Sequence, residues 1–189
     1  MKGLLRASVT LLAINTLLLG VLYPVVTSGV GGLLFPHQAA GSLIEVGGKL
    51  IGSQLIGQRF AEDRYFWSRP SATDPHPYDP TASAGSNLGP ANPKLTQRVD
   101  LELSRLLPAG ADQRASVPVD LATASASGLD PDISRAAAEF QAARIAQARQ
   151  LPPDEVRKLI AAHAHEPLLG FIGAPRVNVL ELNLALDGH

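Results

Sequence analysis

"ASVTLLAINTLLLGVLYPVV", Ala7 to Val26, is the stretch that decides the kind of fold this chain has. A helix of this length rises about 30 Å, which matches the hydrocarbon core of a bilayer. No Asp, Glu, Lys or Arg occurs from Ala7 to Ile44. Lys2, Arg6 and the α-amino group precede the run, and the next basic residue is Lys49. Positive charge on one flank alone puts that end in the cytoplasm. Tyr23 suits an interfacial aromatic, and Pro24 belongs near a helix end, where proline is tolerated. A cleaved signal peptide would share the charged start. The run is long for one, and Val26-Thr27-Ser28 is a poor cleavage site, so a retained anchor is the better reading.

The anchor organises the rest. Residues 1–6 are expected as a cytoplasmic tail, 7–30 as a transmembrane helix and 31–189 as an extracytoplasmic domain. In a Gram-negative cell that means one pass of the inner membrane and a periplasmic domain. Asn15 and Thr16 fall near mid-span. A polar pair in hydrocarbon is best satisfied by a neighbouring helix, so Asn15 is a candidate partner contact.

At 189 residues the chain has room for one domain with a short appendage. Fifteen prolines and seventeen glycines imply long irregular stretches on a small core. A net charge of −1 argues against a nucleic-acid partner, which would leave a basic patch. The absence of cysteine excludes disulfides and thiol chemistry.

Beyond the span, Leu43–Val46 and Lys49–Ile51 read as a hairpin turned by Gly47-Gly48, with a further short strand around Ser53–Gly57. Tyr65 to Pro93 holds six prolines and no periodicity. A loop of that length is functional or disordered, and its aromatics, Tyr65, Phe66, Trp67 and Tyr78, favour order. Asn92-Pro93 caps a helix to about Leu107, with Leu95, Val99, Leu103 and Leu106 along one stripe and Pro108 and Gly110 as the stop. Ser116 to Ser125 alternates like a strand, at an edge because of Pro118. Ser134 can cap an alanine-rich helix, and "PPDEVRKLIAAHA" opens another. "VNVLELNLALDG" alternates like a strand, yet Asn178 as cap and Gly188 as stop read as a helix, the preferred choice. The fold class is therefore α+β: one N-terminal transmembrane helix, then a small mixed α/β domain with long ordered loops.

Motifs for chemistry are missing. "SAGSNLGPANPKL", Ser83 to Leu95, is not a Walker loop, because no Gly-Lys-Ser or Gly-Lys-Thr closes it. No G-x-S-x-G elbow accompanies the many serines, histidines and aspartates. His163 and His165 are poorly spaced for joint ligation on a helix, so no metal site is assigned. "SASGLDPDIS" lacks the frame of a calcium loop and reads as a turn that prepares a helix. In these stretches Asn and Asp can bond their own backbone two residues on, and Gly128 suits a positive φ.

The order of unusual segments, "LIGQRF", "YFWSRPSA", "SAGSNLGPAN", "ASASGLDPDIS" and "VNVLELNLALD", closely resembles the C subunit of the Kdp potassium-transporting ATPase. The resemblance spans essentially the whole chain. Ala84 stands where that family has the first glycine of Ser-Gly-Gly-Ser-Asn-Leu, and Arg135 where it has proline after "IS". The resemblance implies partnership with a potassium-binding channel-like subunit and a P-type ATPase subunit. It implies no hydrolytic residues in this chain, no firmly bound cofactor, and ATP used by the complex. The family role it implies is that of a catalytic chaperone for ATP binding and of an assembly factor. Its signature loops place Arg69, Ser71, Ser86, Asn87, Gly128, Asp130 and Asn178, beside Asn15, as candidate partner contacts. The alternative is a membrane-anchored periplasmic enzyme or binding protein that uses the Tyr65–Pro93 loop.

Overall fold

The computed structural model describes residues 2–107 and 116–188. The chain divides into two units, Met1–Ile51 and Gly52–His189.

The first unit is led by one helix, Lys2–Leu34, that is long and apolar enough to cross a membrane. It comprises α1 (Lys2–Leu17), a π turn (Leu18–Leu22) and α2 (Tyr23–Leu34). Sequence reasoning ended the span near Pro24 and residue 30. The helix instead continues to Leu34, and the π turn explains how. A proline ring clashes with the carbonyl four residues back, here that of Gly20. The wider turn, with Tyr23 N–H donating to Leu18 O, opens the ladder at that point. Thr27 Oγ1 then donates to Tyr23 O at 2.8 Å and lies 3.2 Å from Pro24 O, which occupies carbonyls near the proline. A 33-residue helix rises roughly 50 Å, more than the thickness of a hydrocarbon core. A short α3 (Pro36–Ala39) follows. The expected hairpin forms, with β1 (Leu43–Val46) and β2 (Lys49–Ser53). Gly47 and Gly48 have φ of 61° and 76°, the left-handed pair a type I′ turn demands.

The second unit is α+β. Three short antiparallel strands lie in the order β3 (Asp132–Ser134), β5 (Arg176–Asn178), β4 (Ala164–His165). Ile133 faces Val177, and Ala164 pairs with the same residue from the other side. Ser134 ends β3 and caps α6 (Arg135–Arg149), accepting from Ala137 N at 3.0 Å. Pro153 and two acids in the first turn open α7 (Pro153–His163). Asn178 ends β5 and caps α8 (Val179–Asp187). The ambiguous C-terminal segment is thus a strand for its first two residues, Val177 and Asn178, and a helix thereafter. Ala137, Ala142 and Ile145 of α6, Val156 and Ile160 of α7 and Leu182 and Leu186 of α8 share one core with Ile133, Val177, Leu121 and Phe66. Alanine at four-residue spacing on α6 lets its neighbours approach closely, and α6 with α7 is the main helix pair of the unit.

Two expected strands do not form. Ser116–Ser125 contains a single helical turn, α5 (Val119–Ala122), after Pro118. Thr123 closes that turn, its N–H and Oγ1 both on Val119 O, and Asp120 is then drawn to Ser134. Ser53 belongs to β2, and the residues after it turn, with Ile56 N–H on Ser53 O at 3.4 Å. Helix α4 (Pro93–Leu106) runs as anticipated. Asn92 caps it, accepting from Lys94 N at 3.0 Å. Leu103 is buried, while Leu95, Val99 and Leu106 are half-buried. The proposed stop at Pro108 and Gly110 lies outside the described residues.

Candidate functional site

The Tyr65–Pro93 loop is ordered by amide side chains. Phe66 and Trp67 are buried outside any helix or strand, so their backbone groups have no water to bond. Asn183 of α8 supplies both partners for Phe66, accepting from its N–H at 2.8 Å and donating to its carbonyl at 3.0 Å. Gln141 of α6 does the same for Trp67, at 2.8 and 3.1 Å. Two helices thereby pair with the loop as a neighbouring strand would. Arg105 and Arg144 stack on the Trp67 ring, 3.9 and 3.8 Å from its centroid. Burial, with Arg105 adding to it against the opposing pull of Asp63, draws the Arg144 guanidinium down to about 10.

Beyond Trp67 the signature segments meet in a polar knot. Ser71 Oγ donates to Gly128 O at 2.7 Å and accepts from Tyr78 N at 2.9 Å. Thr73 Oγ1 donates to His76 O and accepts from Asp79 N at 3.2 Å. Tyr78 donates its phenol to Arg69 O at 2.6 Å, and burial pushes that phenol up to about 12. Arg69 reaches Thr123 O and the Asp130 carboxylate, each at 3.3 Å. Gly128 is buried and has the anticipated positive φ, 69°. Its N–H donates to Ser125 Oγ at 2.8 Å. A Cβ there would lie 2.6 Å from Thr73 Cγ2 and 2.7 Å from Ala84 O.

Asp130 bonds its own backbone two residues on, accepting from Asp132 N at 3.1 Å, as the turn reading expected. Asp132 passes the network on. Arg176 meets it at 2.9 Å and Asn178 Nδ2 at 3.3 Å. Burial raises the Asp132 carboxyl against the pull of Arg176. Asn178 also donates to Gln54 O at 2.9 Å while its Oδ1 accepts from Glu181 N. A cleft of about 640 Å³ beside the knot is lined by Arg69, Asp130, Asp132 and Arg176, among others.

So the structure gathers Arg69, Ser71, Gly128, Asp130 and Asn178 into one network. Ser86 and Asn87 lie apart from it. Their loop joins by backbone, Ala84 N donating to Ser127 O at 3.0 Å, and Ala84 has no positive φ. Asn87 itself is exposed with φ of 50°. Asn15, in the other unit, donates back to Leu11 O at 2.9 Å. That bond uses one amide hydrogen and leaves the rest of the amide for a neighbouring helix.

Sequence reasoning missed the amide clamps and a third cluster. Asp187 receives Arg149 at 2.6 Å, Tyr65 at 3.0 Å and Arg64 at 3.3 Å. Partial burial pushes its carboxyl up, but those three hydrogen bonds and the arginine charge outweigh it and hold it below the usual range. A signal was present for the clamps: Gln141 and Asn183 are lone amides inside otherwise apolar helical stripes.

The knot's hydroxyls donate to backbone carbonyls, and the Arg69–Asp130 ion pair holds two loops together. Such an arrangement fixes a surface. One membrane-length apolar helix followed by an α+β domain with locked loops fits a membrane-anchored module that presents rigid loops. Over residues 5–188 the sequence matches KdpC, described as the K+-transporting ATPase c chain. It is 56% identical over 189 residues to the potassium-transporting ATPase KdpC subunit of Methylibium petroleiphilum, covering 100% of this chain and 99% of that one. It is 54% identical over 187 residues to that of Variovorax paradoxus, covering 99% and 97% of the two chains. It is 55% identical over 184 residues to that of Ralstonia nicotianae, covering 97% and 90%. The chain belongs to the KdpC family.

Proposed function

We propose that this chain is a non-catalytic accessory subunit of an ATP-driven, high-affinity potassium uptake complex. The observation that carries the proposal is the match along the whole length to potassium-transporting ATPase KdpC subunits, at 54–56% identity. Its partners are a potassium-binding channel-like subunit and a P-type ATPase subunit. The helix Lys2–Leu34 anchors it in the inner membrane. Lys2 and Arg6 hold the N-terminus in the cytoplasm, so the domain stands in the periplasm. ATP is cytoplasmic, and only the short N-terminal tail shares that side. The subunit therefore assists ATP binding and assembly indirectly, by coupling through its partners. The Ser86–Asn87 loop, with Asn87 exposed, presents the contact surface together with the half-buried Asp130, and the knot around the buried Gly128 holds both in shape.

The enzyme reading of the Tyr65–Pro93 loop gains no support, since Ser71 and Thr73 direct their hydroxyls to backbone carbonyls. Purification of the tagged chain from native membranes in mild detergent tests the proposal. Two larger membrane proteins and potassium-stimulated ATP hydrolysis should copurify. A chain recovered alone, or one hydrolysing a substrate by itself, refutes it.

A further inference from the structure

Pro167 to Pro175, "PLLGFIGAP", carries no side chain able to form a hydrogen bond. Its four large apolar residues are exposed: Leu168 at 68%, Leu169 at 76%, Phe171 at 76% and Ile172 at 50%. An apolar cluster of this density on a soluble surface marks a protein or membrane contact.

The backbone separates these two. Leu168 and Ile172 form an antiparallel bridge, each N–H donating to the other's carbonyl, at 3.0 and 2.9 Å. Gly170 N donates to Pro167 O at 2.9 Å and Phe171 N to Leu168 O at 3.3 Å. Of the five backbone donors from Leu168 to Ile172, all but that of Leu169 are thus satisfied inside the finger itself, and two prolines in the segment have no N–H to satisfy. Hydrocarbon makes that demand, because it offers no partner to an open backbone group. A protein partner would instead be read by polar groups around the apolar anchor. Here the charged residues stand only at the base and are paired. Arg176 meets Asp132 at 2.9 Å, and Arg135 lies 3.6 Å from Glu166.

The tether supplies proximity. Residues 35–51 join the membrane-length helix to the second unit. Even fully extended, that linker spans no more than about 60 Å. A finger whose intrinsic lipid affinity is weak is then held at high effective concentration beside a bilayer.

We propose that the Leu168–Ile172 finger inserts into the interfacial layer of the bilayer in which this chain is anchored. Leu169 and Phe171 enter the acyl region, and the paired charges at the base stay at the headgroups. The finger gives the domain a second attachment to the membrane and restrains its rotation about the tether. This rests on the membrane-anchored reading above, and not on which side the domain occupies.

The full chain carrying Phe171→Trp, reconstituted in vesicles of phosphatidylethanolamine and phosphatidylglycerol, tests this. Part of the lipid carries bromine on its acyl chains. Trp67 is buried and supplies the background, measured in the unsubstituted chain. The added tryptophan should emit at shorter wavelength and lose at least half its intensity to brominated lipid. Leu169→Asp in the same chain should abolish that quenching. Ile172→Trp repeats the measurement should the first variant misfold. A tryptophan that stays unquenched by bromine and open to aqueous iodide overturns the proposal. So does a blue shift that grows with protein-to-lipid ratio without quenching, which would mark a second copy as occupant. Flotation reads the anchor separately: a chain that floats with vesicles yet remains unquenched defeats the finger alone, and one that does not float defeats both.

Discussion

At the scale of single residues, a few polar side chains and one glycine hold loops that composition alone would leave loose. Gly128 is the tightest case. Its φ of 69° is strained for any β-branched residue, and a Cβ would meet Thr73 and the Ala84 carbonyl. Gly128→Val should cost about 2–4 kcal/mol, more than backbone strain alone, read as a lower melting temperature of the full chain in detergent. Asn87 makes the contrast, being exposed at φ 50°. Asn87→Gly keeps the backbone and removes only the amide. If that amide contacts a partner, the variant folds normally while ATP hydrolysis by the assembled complex falls. Unchanged hydrolysis would confine the loop's role to shape. Asp187 gives a pH dependence. Its folded carboxyl lies below the ordinary value, so the folded state favours the ionised form. That contribution is complete above the unfolded pKa, near 4, and is lost as pH falls through the lower folded value. Asp132 is raised and works with the opposite sign. Asp187→Asn should therefore destabilise the chain near neutrality, and the gap should close in acid, followed by denaturant melts at several pH values. A gap that is constant with pH would remove Asp187 from this role.

At the scale of elements, what was legible in the sequence was whatever carried its own punctuation. Asn92-Pro93, Ser134 and Asn178 are caps that accept backbone N–H groups inside their own first turn, so each helix start was readable without tertiary knowledge. The strands were not. β3 and β5 are three residues each and β4 two, too short for a period of two to register. Ser116–Ser125 misled because its alternation was real while Pro118, Thr123 and the distant Ser134 fixed a helical turn instead. Of the signature residues, those in the knot are tied by bonds between segments about 55 positions apart, such as Ser71 to Gly128, which no local pattern announces. The π turn was equally hidden, since Pro24 argued for an end where the helix only widens. In that helix Asn15 spends one hydrogen on Leu11 O. Asn15→Leu should weaken association with the partner subunits by about 1 kcal/mol if the remaining amide bonds a neighbouring helix. Subunit ratios after mild detergent purification measure it, and an unchanged ratio would mean that Leu11 alone satisfies the amide.

At the scale of the molecule, a membrane-length helix leads into a domain whose loops are fixed by hydrogen bonds. The proposed orientation rests on two basic residues ahead of the span. Protease added outside spheroplasts should digest the chain while cytoplasmic controls survive, and protection of the domain would reverse the topology. If the domain stands outside as proposed, any influence on ATP use must travel through partner subunits as a coupling free energy between distinct sites. Coupling of the usual size changes an apparent affinity by about 5–150-fold. The most direct test is the ATP-concentration dependence of potassium-stimulated hydrolysis, measured on the pump's other subunits with and without this chain. Adding the chain should lower the ATP concentration needed for half-maximal hydrolysis, and the chain by itself should hydrolyse none. Identical ATP dependence in the two preparations would contradict it.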